Sequence, residues 1–176
     1  MARTSVATEL YFLIGFMGAG KTTLGRGVAE RMNLAFRDLD ELIERSSGKS
    51  VAEIFSLEGE EGFRRLESQA LQDLIAEGEQ AVVATGGGAF TVETNRRLMK
   101  DAGVVVWIDV PVDEIRHRID AGSRPLWTTP EEVDRLHERR ENFYRAAHHH
   151  LRLSNNDPED AVERLHRLLL GCRKFS

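Results

Sequence analysis

Residues 10–22 read L-Y-F-L-I-G-F-M-G-A-G-K-T, a hydrophobic run that ends in the pattern G-x-x-x-x-G-K-[ST] at Gly15, Gly20, Lys21 and Thr22. A helical pattern follows over 21–32. A buried strand that turns into a helix through a glycine-rich loop is the P-loop arrangement, and it constrains the fold more than any other stretch of the chain. Glycines admit positive φ and keep side chains away from the loop. Successive backbone N–H groups, here those of Gly18, Ala19, Gly20, Lys21, Thr22 and Thr23, then converge on a phosphate at the positive end of the helix. Lys21 is expected to stand in a solvent-open site and reach the β- and γ-phosphates of ATP, with the Thr22 hydroxyl on Mg²⁺. The plainer alternative is an ordinary glycine turn with a solvated lysine, but the strand–loop–helix context favours nucleotide binding.

The rest of the chain alternates short apolar strands with helices. Strands are predicted at 10–14, 34–37, 81–84 and 104–108, with a weaker one at 150–153. Helices are predicted at 21–32, 40–47, 50–57, 60–76, 91–101, 111–120, 131–147 and 158–171. This alternation predicts an α/β fold, a parallel sheet covered on both faces. Such sheets bind ligands beyond the carboxyl ends of their strands, so polar residues after each strand are the candidates. With 176 residues, one domain suffices. A net charge of −5 gives no electrostatic case for nucleic acid or a membrane surface. Cys172, the one cysteine, cannot form an internal disulfide and points to a reducing compartment. No apolar run spans a bilayer, and residues 1–8 are too short and polar for a secretory signal. Together these features predict a cytoplasmic protein. No exposed apolar stripe is evident, so a monomer is expected.

Three further stretches carry chemistry. After the second strand, Asp38 and Asp40 are two apart, which in extended chain puts both on one side with Leu39 on the other. One can hold Mg²⁺, and the other can take a proton from a hydroxyl nucleophile. The alternative is that Asp40 caps the next helix. With a P-loop on a neighbouring strand, the functional reading is preferred. Residues 58–67, E-G-E-E-G-F-R-R-L-E, open a helix on which Arg64 and Glu67 share a face, with Glu60 and Glu61 in reach of Arg64 and Arg65. Finally, a strand runs into Thr85 and three consecutive glycines, Gly86, Gly87 and Gly88. The backbone there must approach something closely, and its N–H groups could hold a carboxylate or phosphate.

The ordered set resembles the shikimate kinase family over nearly the whole chain. It comprises G-x-M-G-A-G-K-T at 15–22, F-x-D-x-D at 36–40, E-G-E-E-G-F-R-x-x-E at 58–67, A-T-G-G-G at 84–88, R-P-L at 124–126 and R-x-x-x-Y at 140–144. The resemblance implies a P-loop NTPase fold of the nucleoside-monophosphate-kinase type, a three-layer sandwich with a five-stranded parallel sheet in the order 2-3-1-4-5. It implies ATP-dependent phosphorylation of the 3-hydroxyl of shikimate, a step of aromatic amino acid biosynthesis. A substrate-binding helical segment is implied at about 40–67 and a lid at about 121–134. Carried over, Lys21, Asp40 and Arg124 are catalytic, and Thr22 and Asp38 serve Mg²⁺. Asp40, Arg64, Gly86, Gly87, Gly88 and Arg140 bind shikimate, while Glu67 orients Arg64. Arg118 stacks on adenine and Arg124 folds over the transferring phosphoryl group.

Arg139 and Arg140 are adjacent, and the spacing to Tyr144 selects Arg140. Asn142 and Phe143 replace the family's usual Pro-Leu, and His148–His150 stand where an acidic residue is common. The alternatives are a related kinase for another polyol acid such as gluconate, or a sensing module without turnover. The acid, arginine and glycine set counts against the first. Retention of Lys21, Asp40 and Arg124 counts against the second.

Overall fold

The computed structural model describes residues 10–118, 129–154 and 157–172. The chain runs β1 (Leu10–Ile14), α1 (Lys21–Met32), β2 (Ala35–Asp38), α2 (Leu39–Ser47), α3 (Val51–Glu77), β3 (Ala81–Ala84), a 3₁₀ turn (Ala89–Thr91), α4 (Glu93–Ala102) and β4 (Gly103–Asp109). It continues through α5 (Val112–Arg118), α6 (Pro130–Tyr144), β5 (His149–Arg152) and α7 (Pro158–Cys172). All four pairings are parallel, in the order β2-β3-β1-β4-β5. The expected strand order therefore holds. The strand that leads to the two acids, β2, is not β1's immediate neighbour, because β3 lies between them.

The apolar run of β1 follows from its place. It sits mid-sheet with both faces covered, and all five of its residues are buried. Its parity defines the layers. Leu13 pairs with Val106 and faces α1, where a Cβ on Gly25 would come within 3.3 Å of its side chain. Trp107 pairs with Ile14 and points to the other face, where its ring lies 5.9 Å from that of Tyr144 in α6. α7 packs on α1, with Val162 beside Gly27. Helices thus cover both faces, as alternation predicted. The edge strand β5 buries only Leu151, which explains its weak pattern.

Most boundaries fall within two residues of those expected. The two helices expected at 50–57 and 60–76 run together as α3, but Gly59 is non-helical (φ 68°, ψ −173°) and breaks it between the two expected spans. The N-terminal part is fixed by a capping box between Ser50 and Glu53. Residues 121–128 of the expected lid lie outside the described residues; from Pro130 the chain is α6, whose cap is the Thr129 hydroxyl accepting from Glu132 N. Among the described residues, no helix is long and apolar enough to cross a membrane.

Gly103 pairs with Leu10 and is extended, so its constraint is space rather than φ. An added Cβ would stand 2.0 Å from the Leu10 carbonyl oxygen, a backbone atom that cannot swing aside. Gly103→Ala should therefore lower unfolding free energy by about 1–3 kcal/mol, the usual range for overpacking, in urea denaturation. An unchanged midpoint would contradict this β1–β4 register.

Candidate active site

The P-loop begins where β1 leaves the sheet. Gly15, Gly18 and Gly20 have φ of 142°, 77° and 86°, values that side-chain-bearing residues rarely adopt. Gly15 is also pressed against β4, where a Cβ would lie 2.4 Å from the Ile108 carbonyl oxygen. Lys21 differs from the solvent-open expectation. It is only 8% exposed, and its ammonium donates to the carbonyls of Gly15 (2.9 Å) and Phe16 (2.8 Å). The lysine folds back onto its own loop because burial demands acceptors for its N–H groups.

The two acids divide their roles differently from the extended-chain argument. β2 ends at Asp38 and Leu39 already begins α2, so Asp40 sits in a helical first turn. The cap is Asp38, not Asp40: its Oδ1 accepts from Asp40 N at 3.1 Å. Its Oδ2 accepts from the Thr22 hydroxyl at 2.7 Å. One carboxylate thus ties the P-loop helix to α2 and leaves the Asp40 side chain turned towards the cleft.

The three glycines each meet a different functional group. A Cβ on Gly86 would lie 3.1 Å from both Asp40 Oδ1 and Glu67 Oε1. On Gly87 it would lie 3.0 Å from Arg140 Nη1 and 3.1 Å from Met17 N, and on Gly88 2.1 Å from Arg64 Nη2. None of the three has positive φ, so the requirement is room alone. The expected close approach is real, and its partners are the site's own charged side chains.

Arg64 donates to Glu67 Oε2 at 2.7 Å and to Glu60 Oε1 at 3.3 Å. Arg65 pairs with Glu58 instead of Glu61. Burial works against Arg64's charge, but Glu67 and Glu60 outweigh it and raise its pKa. Arg140 is 6% exposed, its Nη1 has no hydrogen-bond partner among the described residues, and burial lowers its pKa. Arg139, by contrast, is exposed. Glu67 is fully buried, and desolvation pushes its pKa up to about 7 against the opposing pull of Arg64.

These groups line two joined compartments. The first, about 240 Å³, is bounded by the P-loop residues Gly18, Lys21, Thr22 and Thr23 with Asp38 and Thr85. The second, about 70 Å³, is bounded by Val51, Phe55, Phe63, Arg64, Gly88 and Arg140. Met17, Asp40, Gly86 and Gly87 belong to both. Arg124 and the Arg118 side chain lie outside the described residues.

The apolar walls had gone unnoticed in the sequence. Phe55 and Phe63 stack at 4.6 Å across the Gly59 break, and their eight-residue spacing around that glycine was the available signal. The three histidines each engage a different neighbour. His148 Nδ1 accepts from Val105 N, His149 lies 3.2 Å from the Cys172 sulfur, and His150 stacks on Trp107 beside Asp109. Among the described residues, no group of three or more His, Cys, Asp or Glu side chains could hold a metal.

A P-loop compartment opening through a shared carboxylate into a small pocket walled by arginines defines a P-loop kinase of small anionic molecules. A family model for shikimate kinase matches residues 17–169. The shikimate kinase of Synechococcus sp. (strain RCC307) is 40% identical over 172 residues, which is 95% of this chain and 87% of that protein. That of Sulfurihydrogenibium sp. (strain YO3AOP1) is 38% identical over 156 residues, 88% and 93% of the two chains. The solved shikimate kinase from Acinetobacter baumannii in complex with shikimate superposes with a TM-score of 0.88 at 35% identity, covering 95% of this chain and 96% of that one. The chain belongs to the shikimate kinase family.

The raised pKa of Glu67 has a sign that can be tested. A carboxyl with a folded pKa near 7 and an unfolded pKa near 4.5 binds more protons when folded. Its contribution is fully favourable below about pH 4.5 and is lost as pH rises towards 7, by at most about 3 kcal/mol. Glu67→Gln removes this titration. The thermal midpoint of the unliganded wild type should therefore fall relative to the variant between pH 4.5 and 7, and parallel curves would refute the buried carboxyl.

Proposed function

We propose that Lys21, Asp38, Asp40, Arg64 and Arg140 divide the work of one phosphoryl transfer. The reaction of the family is ATP-dependent phosphorylation of shikimate, and in this chain the 3-hydroxyl is the acceptor. The observation that supports this assignment is that Asp40 lines both compartments.

The P-loop N–H groups from Gly18 to Thr23 and the Lys21 ammonium receive the ATP phosphates. To do so, Lys21 exchanges its loop carbonyls for phosphate oxygens. The Thr22 hydroxyl and Asp38 carboxylate, 2.7 Å apart, are hard oxygen donors that fit Mg²⁺, which takes few protein ligands and completes its shell with phosphates and water. The ion would supply charge neutralisation at the phosphate oxygens. In the second compartment, Arg64 and Arg140 hold the shikimate carboxylate, and the unpartnered Arg140 Nη1 supports this role. Gly86–Gly88 leave room for the ring. Asp40 accepts the proton of the 3-hydroxyl as its oxygen bonds to the γ-phosphorus and the bond to the β-phosphate oxygen breaks, giving shikimate 3-phosphate and ADP. Arg118 and Arg124 keep the adenine and phosphoryl roles that the family implies. The chain works as a single-domain cytoplasmic monomer, with the helical segment at about 40–67 on the substrate side and lid residues following α5.

A coupled ADP-release assay with shikimate, gluconate or no acceptor checks the reaction, and only shikimate should support turnover. Asp40→Asn keeps the shape but removes the proton acceptor, so kcat should fall about 10²–10⁴-fold. Asp38→Asn should instead raise the Mg²⁺ concentration needed for half-maximal rate. Preserved kcat in Asp40→Asn would remove it as base.

The arginines separate binding from chemistry. Arg64→Ala or Arg140→Ala should raise KM for shikimate far more than for ATP, with kcat/KM reduced about 10–150-fold, the worth of a charged hydrogen bond. Arg139→Ala should be nearly silent because its side chain is exposed. A shikimate effect at Arg139 in place of Arg140 would overturn this assignment.

A further inference from the structure

We propose that Tyr144 is a positioning residue for the acceptor: its hydroxyl fixes the Gly87 peptide while its helix delivers Arg140 to the same peptide. The inference rests on the proposed shikimate site and assigns a role to a residue that is not among those bounding the two compartments.

The glycine loop supplies the first observation. The Gly86 carbonyl accepts from Ala89 N at 3.2 Å. The Gly88 carbonyl accepts from Thr91 N at 3.0 Å and from the Thr91 hydroxyl at 2.7 Å. Both bonds close within the local turn. The Gly87 carbonyl takes its donor from outside, from the Tyr144 hydroxyl on α6. Of the three glycine peptides, the middle one is thus held by α6.

Helical geometry supplies the second. Arg140 and Tyr144 are four residues apart and share a face of α6. The Arg140 guanidinium lies 3.0 Å from where a Gly87 Cβ would be, so both side chains converge on one residue. Tyr144 is 1% exposed and backed by Trp107, which leaves its ring little freedom. Burial pushes its pKa up, so the hydroxyl remains a donor.

A trans peptide points its C=O and N–H in opposite directions. Anchoring the Gly87 carbonyl on α6 therefore turns the Gly88 N–H away from that helix, in a residue packed against Arg64. Without the hydroxyl, a carbonyl on a run of three glycines loses its donor, and those glycines have the widest φ/ψ freedom of any residue. The peptide can then rotate, and the pocket that Gly88, Arg64 and Arg140 wall loses its shape, whereas Lys21 and Thr22 keep their own partners in Gly15, Phe16 and Asp38.

Tyr144→Phe removes one oxygen and tests this directly. KM for shikimate should rise about 3–10-fold, the effect of one neutral hydrogen bond, with kcat and KM for ATP within about twofold of wild type. Trp107→Phe loosens the packing behind the same ring and is the structural control: it should lower the melting temperature and leave the ratio of the two KM values unchanged. An unchanged shikimate KM in Tyr144→Phe overturns the proposal. So does an equal rise in both KM values, a Trp107→Phe variant with the same selective effect, or a Tyr144→Phe variant that fails to fold. Absence of shikimate turnover by the wild type would instead refute the reaction itself.

Discussion

Four charged side chains are drawn out of water around three glycines, and the acceptor half of the cleft depends on that arrangement. Isolated buried charges are expensive, and they persist when paired and hydrogen-bonded. Glu67 meets this condition through Arg64, which is in turn shared with the more exposed Glu60. With both acids ionised, Asp40 and Glu67 balance Arg64 and Arg140. With Glu67 protonated, as a pKa of about 7 allows, the cluster loses one negative charge. This arrangement is stable only while the glycines keep their backbone against the guanidinium groups.

The parallel sheet explains why these groups meet at all. Loops after β1, β3 and β2 leave the same edge, and the strand order puts β3 between the other two. Register sharpens this, because Leu13 and Asp38 both pair with Ala84, the last residue of β3. Thr85 then fastens to the Leu13 carbonyl through its N–H (3.2 Å) and its hydroxyl (3.1 Å). The glycine loop therefore emerges between the P-loop and the two acids. That placement lets Gly86 and Gly87 line both compartments.

The sequence made the P-loop and the sheet legible because both are written in local pattern. Positive φ at Gly15, Gly18 and Gly20 is a local demand, and spacing alone reveals it. The glycines at 86–88 signalled crowding, yet nothing local says what crowds them, since Arg64, Glu67 and Arg140 arrive from distant helices. Asp38 and Asp40 both line the cleft, but not by the geometry that strand alternation predicts. Strand alternation assumed extended chain through Asp40, but Asp38 caps α2 and ends the strand early. Helix capping and metal ligation draw on the same short acidic residue, so the motif alone does not separate them. At α6, Arg140 faces in and Arg139 faces out, a distinction that the spacing to Tyr144 carries and a run of two arginines alone does not.

Lys21 shows the limit of reading a charge as a solvent-facing tool. Its N–H groups are satisfied by Gly15 and Phe16, carbonyls of the loop it serves, so the lysine holds that loop in shape before any phosphate arrives. In the proposed reaction a phosphate would compete with these two carbonyls for the ammonium. An anionic phosphate oxygen adds a Coulomb attraction to the ammonium that a neutral carbonyl lacks, so the exchange favours phosphate. The loop N–H groups have no such prior claim from the lysine. In that reaction the ammonium is already confined to the loop before charge builds on the transferring group. Confinement in advance is the condition under which electrostatic stabilisation is most effective, because little reorganisation remains for the moment of transfer.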